Sequence, residues 1–322
     1  MFRRNFIPTL IMLLICFFII KPDIVSEGAV NGLRIWGTNI VPFLFPMSVL
    51  SNILLQYNFL YSLFERMWLV SVKLFKNKYA LIPFFISFIS GYPSGAMAVN
   101  IMTASKRISS DEANYLTVFA NDCSFQFIAG AVSFSMLGSF SLYKYIAVPH
   151  FLGALILGIM IKKQSARIGP SVRSLNKTSV TFNQAFSNAI YKSVISILSV
   201  GGVIVIFSVF SNFLDDSLKS LTAFMAVKRY LSDIIYSLLV GSLELTNGCS
   251  IIAKSIYVPM ELKLIVISFL ISFSGMSVIF QTLAVINEFE LDIKNYIFCK
   301  FVHGVLSAFI CTAMLMIAGN MY

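Results

Sequence analysis

The stretch YALIPFFISFISGYPSGAMAVNIMT (Tyr79–Thr103) decides the fold. It is apolar and longer than the roughly 20 residues that cross a bilayer as a helix. The run SGYPSG (Ser90–Gly95) interrupts it in the middle. Backbone groups freed by such a break cost several kcal/mol each in hydrocarbon, so the break must be buried in protein or line a wet cavity. The stretch therefore predicts a re-entrant hairpin whose tip is Ser90–Gly95.

Composition indicates an all-α polytopic membrane protein. Of 322 residues, 58% are hydrophobic and 12% are charged, whereas soluble domains are about 45–50% apolar and about 25% charged. The length allows about eight to ten membrane elements. The formal net charge of +10 is typical of cytoplasmic loops that face anionic lipid, and we expect no nucleic-acid partner. The five cysteines form no CxxC pair, so a metal or redox site is not expected.

The pattern of apolar segments repeats along the chain. Each half is interpreted as a span, an interfacial helix, a re-entrant hairpin, an interrupted span and a span. The corresponding breaks Gly91 and Gly248 lie 157 residues apart, and the polar centres Cys123 and Gly275 lie 152 apart. The predicted divisions are an N-terminal span and loop (1–34), a first repeat (35–161) with hairpin 79–103, a basic cytoplasmic loop (162–188), and a second repeat (189–322) with hairpin 233–257.

Loop charges predict that the two repeats have opposite orientations. Lys162–Lys192 contains six Lys or Arg and no acid, which keeps it in the cytoplasm. Lys106 and Arg107 stay on that side only if the first hairpin does not cross. The second hairpin then enters from the opposite face, and about seven segments cross fully. Inverted repeats of this kind place a transport site near the midplane.

The candidate site residues lie at the four breaks, where half-helix N-termini would attract a carboxylate or phosphate. Glu244 is the sharpest candidate, because a carboxylate within a membrane segment is costly. It would carry a coupling proton or cap a half-helix, unless it lies in an interfacial loop. The full predicted set is Ser90, Gly91, Tyr92, Ser94, Gly95, Asn121, Ser124, Glu244, Thr246, Asn247, Gly248, Gly275, Ser277 and Gln281.

Three other polar residues within the spans are left outside this set. Asp122 is expected either at a helix interface or as the ligand of a coupling cation. His150 and His303 each lie in a plain span, where packing or interhelical hydrogen bonding is the expected role. An intramembrane protease that uses Ser94 would need a base within hydrogen-bond reach, and no His occupies a corresponding inner position, so we do not expect an enzyme.

Four motifs carry a family resemblance. They are SGYPSGAMA (Ser90–Ala98), NDCSFQFI (Asn121–Ile128), GSLELTNGC (Gly241–Cys249) and SFSGMSVIFQ (Ser272–Gln281). They resemble the sporulation integral membrane protein family YlbJ, also called SpoVV. That family belongs to the nucleoside-recognition "gate" group and is similar in architecture to concentrative nucleoside transporters.

The resemblance implies transport of dipicolinic acid, a small planar dianion, out of the mother cell across the outer forespore membrane. It also implies a homo-oligomer and no cofactor; a coupling ion, if there is one, would be Na⁺ or H⁺. The alternatives are a transporter of a nucleoside-like or other small metabolite, and a non-transporting sporulation scaffold. The sequence departs from the family pattern at Met97, Phe125, Ser274 and Ile279. Met97 stands where a Lys is common, so a cation that would pair with the substrate is missing there.

Overall fold

The described part of the chain is helical. The computed structural model describes residues 2–162, 181–224 and 228–319, and no strand occurs among them. Within these ranges four helical stretches are long and apolar enough to cross a membrane, namely Phe140–Met160, Phe182–Leu214, Met260–Val285 and Ile293–Gly319. Many large apolar side chains face outward, as lipid contact requires. The prediction of an all-α polytopic membrane protein is confirmed.

The first half begins with α1 (Phe2–Ile20) and one long rod made of α2 (Pro22–Ile35), a π-helical turn (Trp36–Ile40) and α3 (Val41–Gln56). The short helices α4 (Asn58–Glu65) and α5 (Trp68–Phe75) follow. The first hairpin consists of α6 (Leu81–Ser90) and α7 (Ser94–Ala104). The first interrupted helix comprises α8 (Ser110–Ala120), a non-helical segment at 121–124 and a π-helix (Phe127–Met136). A 3₁₀ turn (Phe140–Tyr143) leads into α9 (Lys144–Met160).

The second half begins with α10 (Phe182–Phe224). The second hairpin consists of α11 (Arg229–Leu243) and α12 (Leu245–Lys254). The second interrupted helix comprises α13 (Met260–Phe273) and α14 (Gly275–Val285), and α15 (Ile293–Gly319) ends the fold. Helices α6 and α12 have 10 residues each, which is about 15 Å, or half of the hydrocarbon thickness. Neither is long enough to cross alone, as a re-entrant hairpin requires, and the faces from which the hairpins enter stay a prediction.

The contacts between helices repeat from one half to the other. Helix α3 packs on α6 as α10 packs on α11, and α7 packs on α8 as α12 packs on α13. Each hairpin also contacts the interrupted helix of the other half, since α7 packs on α14 and α12 packs on the π-helix. The last helix of each half also packs on the interrupted helix of the other half, since α9 packs on α13 and α15 packs on α8. This reciprocity is the arrangement that a duplicated unit would produce.

Residues 22–34, expected as a loop, are instead helical and extend the second span. Pro22 lies in the first turn of α2 with Asp23 beside it, both favourable there. Gly28 and Gly32 let α2 approach α10 closely, because an added Cβ would lie 2.7 Å from Val209 Cα and 2.8 Å from Val205 Cα respectively. The loop prediction is wrong because close helix packing stabilises a segment of low hydrophobicity.

Three further boundaries differ from the predictions. The interfacial helix expected at 57–78 is two helices, α4 and α5, separated at Arg66–Met67. The predicted basic loop 162–188 ends early, because Thr181 and Gln184 form a reciprocal cap that starts α10; residues 163–180 lie outside the described ranges. Helix α10 continues to Phe224, so the separate amphipathic helix expected from Asp215 is absent over 215–224; residues 225–227 lie outside the described ranges.

Candidate functional site

A cavity lies where both hairpin tips meet both interrupted helices. The space in it that water-sized groups can reach is about 40 Å³, so the cavity is nearly closed in this conformation. Six of the predicted residues line it: Gly91, Tyr92, Ser124, Glu244, Thr246 and Gln281. The other lining residues are apolar or weakly polar: Ile40, Leu44, Cys123, Phe127, Val200, Ile204, Leu245 and Val278. Residues about 190 positions apart in sequence therefore share one small, mainly apolar chamber.

The first hairpin reaches this cavity through a tight tip. Gly91 ends α6 with φ +73°, a conformation that favours glycine. An added Cβ at Gly91 would lie 3.0 Å from the backbone nitrogen of Ser124, so the tip packs directly on the first interrupted helix. The Tyr92 hydroxyl donates to the Ile271 carbonyl at 2.5 Å. The tip is thus held between the interrupted helices of both halves.

The second hairpin turns at Glu244. This residue is extended (φ −135°, ψ 109°) between α11 and α12, and its carboxylate accepts a hydrogen bond from the Asn247 backbone nitrogen at 2.7 Å. Glu244 is 2% exposed and lines the cavity. The break therefore falls at Glu244 and not at Gly248, which lies inside α12. Gly91 and Glu244 are 153 residues apart, close to the 152 that separate the two polar centres.

Two polar side chains of the interrupted helices face the same cavity. Ser124 accepts a hydrogen bond from the Phe127 backbone nitrogen at 3.1 Å and so caps the half-helix that follows. Gln281 donates to the Ser277 hydroxyl at 3.1 Å. Among the described residues, no other protein partner is recorded for the Gln281 amide, so it can offer a donor and an acceptor to a ligand.

A second, more polar cavity lies on the other side of the second hairpin. The space in it that water-sized groups can reach is about 200 Å³, and it is lined by Asn31, Ser208, Ser211, Asn212, Tyr236, Val240, Asn247, Ser250, Ile251 and Lys254. Asn247 faces this cavity and donates to Ser208 at 3.1 Å. The start of α12 thus separates the two cavities, with Glu244 and Thr246 on one side and Asn247 on the other.

The remaining predicted residues lie behind the cavity wall. Gly95 and Gly248 provide close packing, since an added Cβ would strike the Ala120 carbonyl oxygen and Gly241 Cα respectively. Ser90 bonds to the Met47 carbonyl at 3.1 Å. The others in this group are Ser94, Asn121, Gly275 and Ser277, which start half-helices or hydrogen-bond within the protein.

A cluster of ionisable residues lies directly behind Cys123 and Ser124. We define the buried charge cluster as Asp122, Lys300, His150 and His303, all 0% exposed. The Lys300 ammonium lies 3.0 Å from Asp122 Oδ1 and donates to the Asn121 carbonyl at 2.7 Å. His150 accepts from the Cys123 backbone nitrogen at 3.1 Å and pairs with Ser272 at 2.8 Å. Helices α9, α13 and α15 thus hold the break of the first interrupted helix in place.

The two imidazoles of the cluster stack at a centroid distance of 5.0 Å. His150 and His303 are 153 residues apart, the same interval as the hairpin tips, so they occupy equivalent positions in the two halves. That interval, together with a lone Lys inside an apolar span, could have revealed the cluster from sequence. Lys300 is a buried cation, but it contacts Asp122 and does not line the cavity, so it does not replace the substrate-pairing cation that is missing at position 97.

Comparison with known proteins identifies one informative relative. No family model matches the chain, and no solved structure does. The chain is 26% identical over 337 aligned positions to the sporulation integral membrane protein YlbJ of Bacillus subtilis (strain 168), covering 94% of this chain and 80% of that protein. The alignment spans both hairpins and both interrupted helices, in agreement with the four motifs. This similarity over nearly the whole chain supports the resemblance to the YlbJ family of sporulation integral membrane proteins that the four motifs indicate.

Proposed function

We propose that the protein transports a small planar metabolite, dipicolinic acid, out of the mother cell across the outer forespore membrane. The observation that carries the proposal is the cavity enclosed by two hairpin tips and two helix breaks. Unwound backbone at membrane depth is tolerated where it is buried or lines a cavity, and transporters use such breaks as substrate sites. A purely structural membrane protein has no need of four such breaks around one cavity.

The two cavities support an alternating-access mechanism. Residues at the start of α12 line both of them, so a movement of the second hairpin would join them. The hairpin is a plausible moving part because only one residue, Glu244, links α11 to α12. The polar cavity, with Lys254 at its edge, provides a wet route for an anion. In this mechanism the central cavity binds the substrate and the second hairpin is one of its gates.

The lining suits a flat ring with polar substituents. Tyr92, Phe127 and Val278 offer apolar surface to an aromatic face, and Ser124 and Gln281 offer hydrogen bonds at its edge. The half-helix that starts after Ser124 presents a positive dipole end toward a carboxylate. A pyridine ring with two carboxylates has this combination of a flat face and an anionic edge.

One observation favours a second candidate, a neutral nucleoside-like substrate. Glu244 is the one carboxylate among the described lining residues, and no Lys or Arg lies among them. A dianion at direct contact with an ionised Glu244 would be repelled. A neutral planar ligand would avoid that repulsion, and so would dipicolinate that moves with a compensating cation.

Uptake into proteoliposomes separates the candidates. We expect labelled dipicolinate to enter, with a nucleoside in excess failing to compete. Gln281→Leu should lower uptake about tenfold, since a hydrogen bond to a charged group contributes about 1.5–3 kcal/mol. Thr312→Val is the matched control, because Thr312 on α15 bonds to its own helix at Ala308. Competition by the nucleoside would favour the second candidate, and absence of flux for either compound from folded protein would refute transport.

A further inference from the structure

The buried charge cluster lacks one proton for complete hydrogen bonding. His303 Nε2 lies 2.8 Å from the His150 carbonyl, and a carbonyl only accepts, so Nε2 carries the hydrogen and Nδ1 is bare. That bare Nδ1 faces Asp122 Oδ1 at 3.8 Å. Within the described residues neither His303 Nδ1 nor Asp122 Oδ2 has a hydrogen-bond partner. The unpartnered Nδ1 and the carboxylate of Asp122 thus face each other, both as acceptors, and this arrangement costs free energy until a proton lies between them.

The other imidazole cannot take this proton without losing a bond. His150 Nε2 accepts from the Cys123 backbone nitrogen, which only donates, so the hydrogen of neutral His150 lies on Nδ1 and points to Ser272. Both nitrogens of His150 are therefore occupied. Lys300 is also occupied, by Asp122 and by the Asn121 carbonyl. The place for one more proton therefore lies at the pair of Asp122 and His303.

We propose that Asp122 and His303 together bind one proton that crosses the membrane with the substrate, an inference that rests on the transport function proposed above. The proton comes from the aqueous phase on the loading side, lies between the carboxylate and His303 Nδ1, and leaves to the other side after the helices rearrange. With Asp122 and Lys300 both charged the cluster is neutral, and one added proton gives it a charge of +1. That charge would partly offset an anionic substrate beyond Cys123 and Ser124.

The same cluster explains how a proton would affect the cavity. The non-helical segment 121–124 is held by Lys300 at the Asn121 carbonyl, by His150 at the Cys123 nitrogen and by Ser87 at the Asp122 backbone. A proton on Asp122 weakens its pairing with Lys300 and so loosens this segment. Because Cys123 and Ser124 line the cavity, the shape of the site then depends on the proton. This is the differential contact that coupling between two sites requires.

A proton fits this position better than a sodium ion. The carbonyl and carboxylate oxygens that would bind Na⁺ already contact the Lys300 ammonium. In the part of the chain that the structure describes, no group of three or more His, Cys, Asp or Glu could hold a metal ion. The other titratable groups around the pair are Tyr92 in the first hairpin, Cys123 on segment 121–124, and Tyr296 and Cys299 on α15.

The proton site can be tested without any transport assay. The chain has two histidines, so the ¹⁵N NMR spectrum of histidine-labelled protein in liposomes contains two imidazoles, and His303→Gln assigns them. We expect the His303 Nδ1 signal to move as the pH is lowered, with His150 unchanged. Asp122→Asn should abolish the movement, whereas Asp111→Asn, an exposed control at the start of α8, should not. A His303 signal that does not move, or that moves equally in Asp122→Asn, would overturn the proposal.

Coupling is tested in proteoliposomes loaded with a pH-sensitive dye. Wild-type protein should move protons with dipicolinate, and His303→Gln should lower the protons moved per substrate at least about tenfold. Gln keeps a donor for the His150 carbonyl but cannot be protonated. Substrate flux without proton movement would refute the coupling and leave the proposed function intact. A wild-type protein that moves neither dipicolinate nor a nucleoside would refute both.

Discussion

The two halves of the protein share one architecture but carry their buried carboxylates at different breaks. In the first half the hairpin tip, Gly91–Pro93, is uncharged, and the charge lies in the interrupted helix at Asp122. In the second half the tip carries Glu244, and the interrupted helix turns at the uncharged Ser274 and Gly275. The two halves thus have similar helix arrangements, but their buried carboxylates lie at different kinds of break.

This difference suggests separate roles for the two charges. Asp122 is paired with Lys300 and lies behind the wall of the central cavity. Glu244 has no such cation beside it in the cavity lining and faces the ligand space directly. We therefore propose that Asp122 serves proton binding and that Glu244 serves substrate contact and gating. Four sets of substitutions test this division, beginning with the set expected to have the largest effect.

Removal of the cation that pairs with Asp122 should be the most damaging change. Lys300→Met leaves Asp122 buried without its partner, and loss of one member of a buried pair typically costs about 3–5 kcal/mol. Thermal unfolding in detergent should show a large fall in melting temperature. The double variant Asp122→Asn with Lys300→Met should recover part of it, and a double variant no better than the single one would contradict the pairing.

Close packing at the two hairpins should be the next most sensitive feature. Gly248→Ala places a Cβ against the Gly241 backbone, and overpacking of this kind costs about 1–3 kcal/mol. Gly95→Ala is the corresponding change in the first half, against the Ala120 carbonyl. Gly202→Ala is the control, since nothing lies within 4 Å of its added Cβ. Equal melting temperatures for the Gly248 and Gly202 variants would show that the hairpins are not packed as described.

Removal of either half-helix cap should lower the stability less than these changes, and the two losses should be similar in size. Glu244→Ala and Ser124→Ala each remove the acceptor for one backbone nitrogen, at about 1 kcal/mol per cap. The effect of Glu244 on uptake is tested separately with Glu244→Gln. This variant keeps an acceptor for the Asn247 nitrogen but changes the charge that faces the substrate, so we expect uptake to change. If Glu244→Gln left dipicolinate uptake unchanged, the contact between Glu244 and substrate would be refuted.

The smallest expected effect concerns the anchor of the first tip. Tyr92→Phe removes the hydroxyl that donates to Ile271 and leaves that carbonyl without this bond, which should cost about 0.5–1.5 kcal/mol. The unfolding transition should move only slightly, and uptake should persist because the ring still lines the cavity. A loss as large as that of Lys300→Met would mean that the tip, and not the buried charge cluster, holds the two halves together.

Much of the architecture could be predicted from sequence because it depends on local signals. The break at Ser90–Gly95 and the polar centres near Cys123 and Gly275 are visible as interruptions of apolar runs. The start of α10 was missed although the Thr181 and Gln184 cap is a local signal too. The helical state of 22–34 was not predictable in this way, because it depends on contact with α10.

In the candidate site, too, the sequence accounts for local features and the tertiary structure for the contacts between distant residues. The sequence by itself determined the membrane class and the positions of the breaks, since a broken helix in hydrocarbon must be buried or serve a cavity. Only the tertiary structure decided which polar groups face the cavity and which pack behind it. It alone brought His150 and His303 into one stack and Lys300 to Asp122. The physical reason is that a buried charge is tolerated only beside its partner, and that partner lies 178 residues away in the chain.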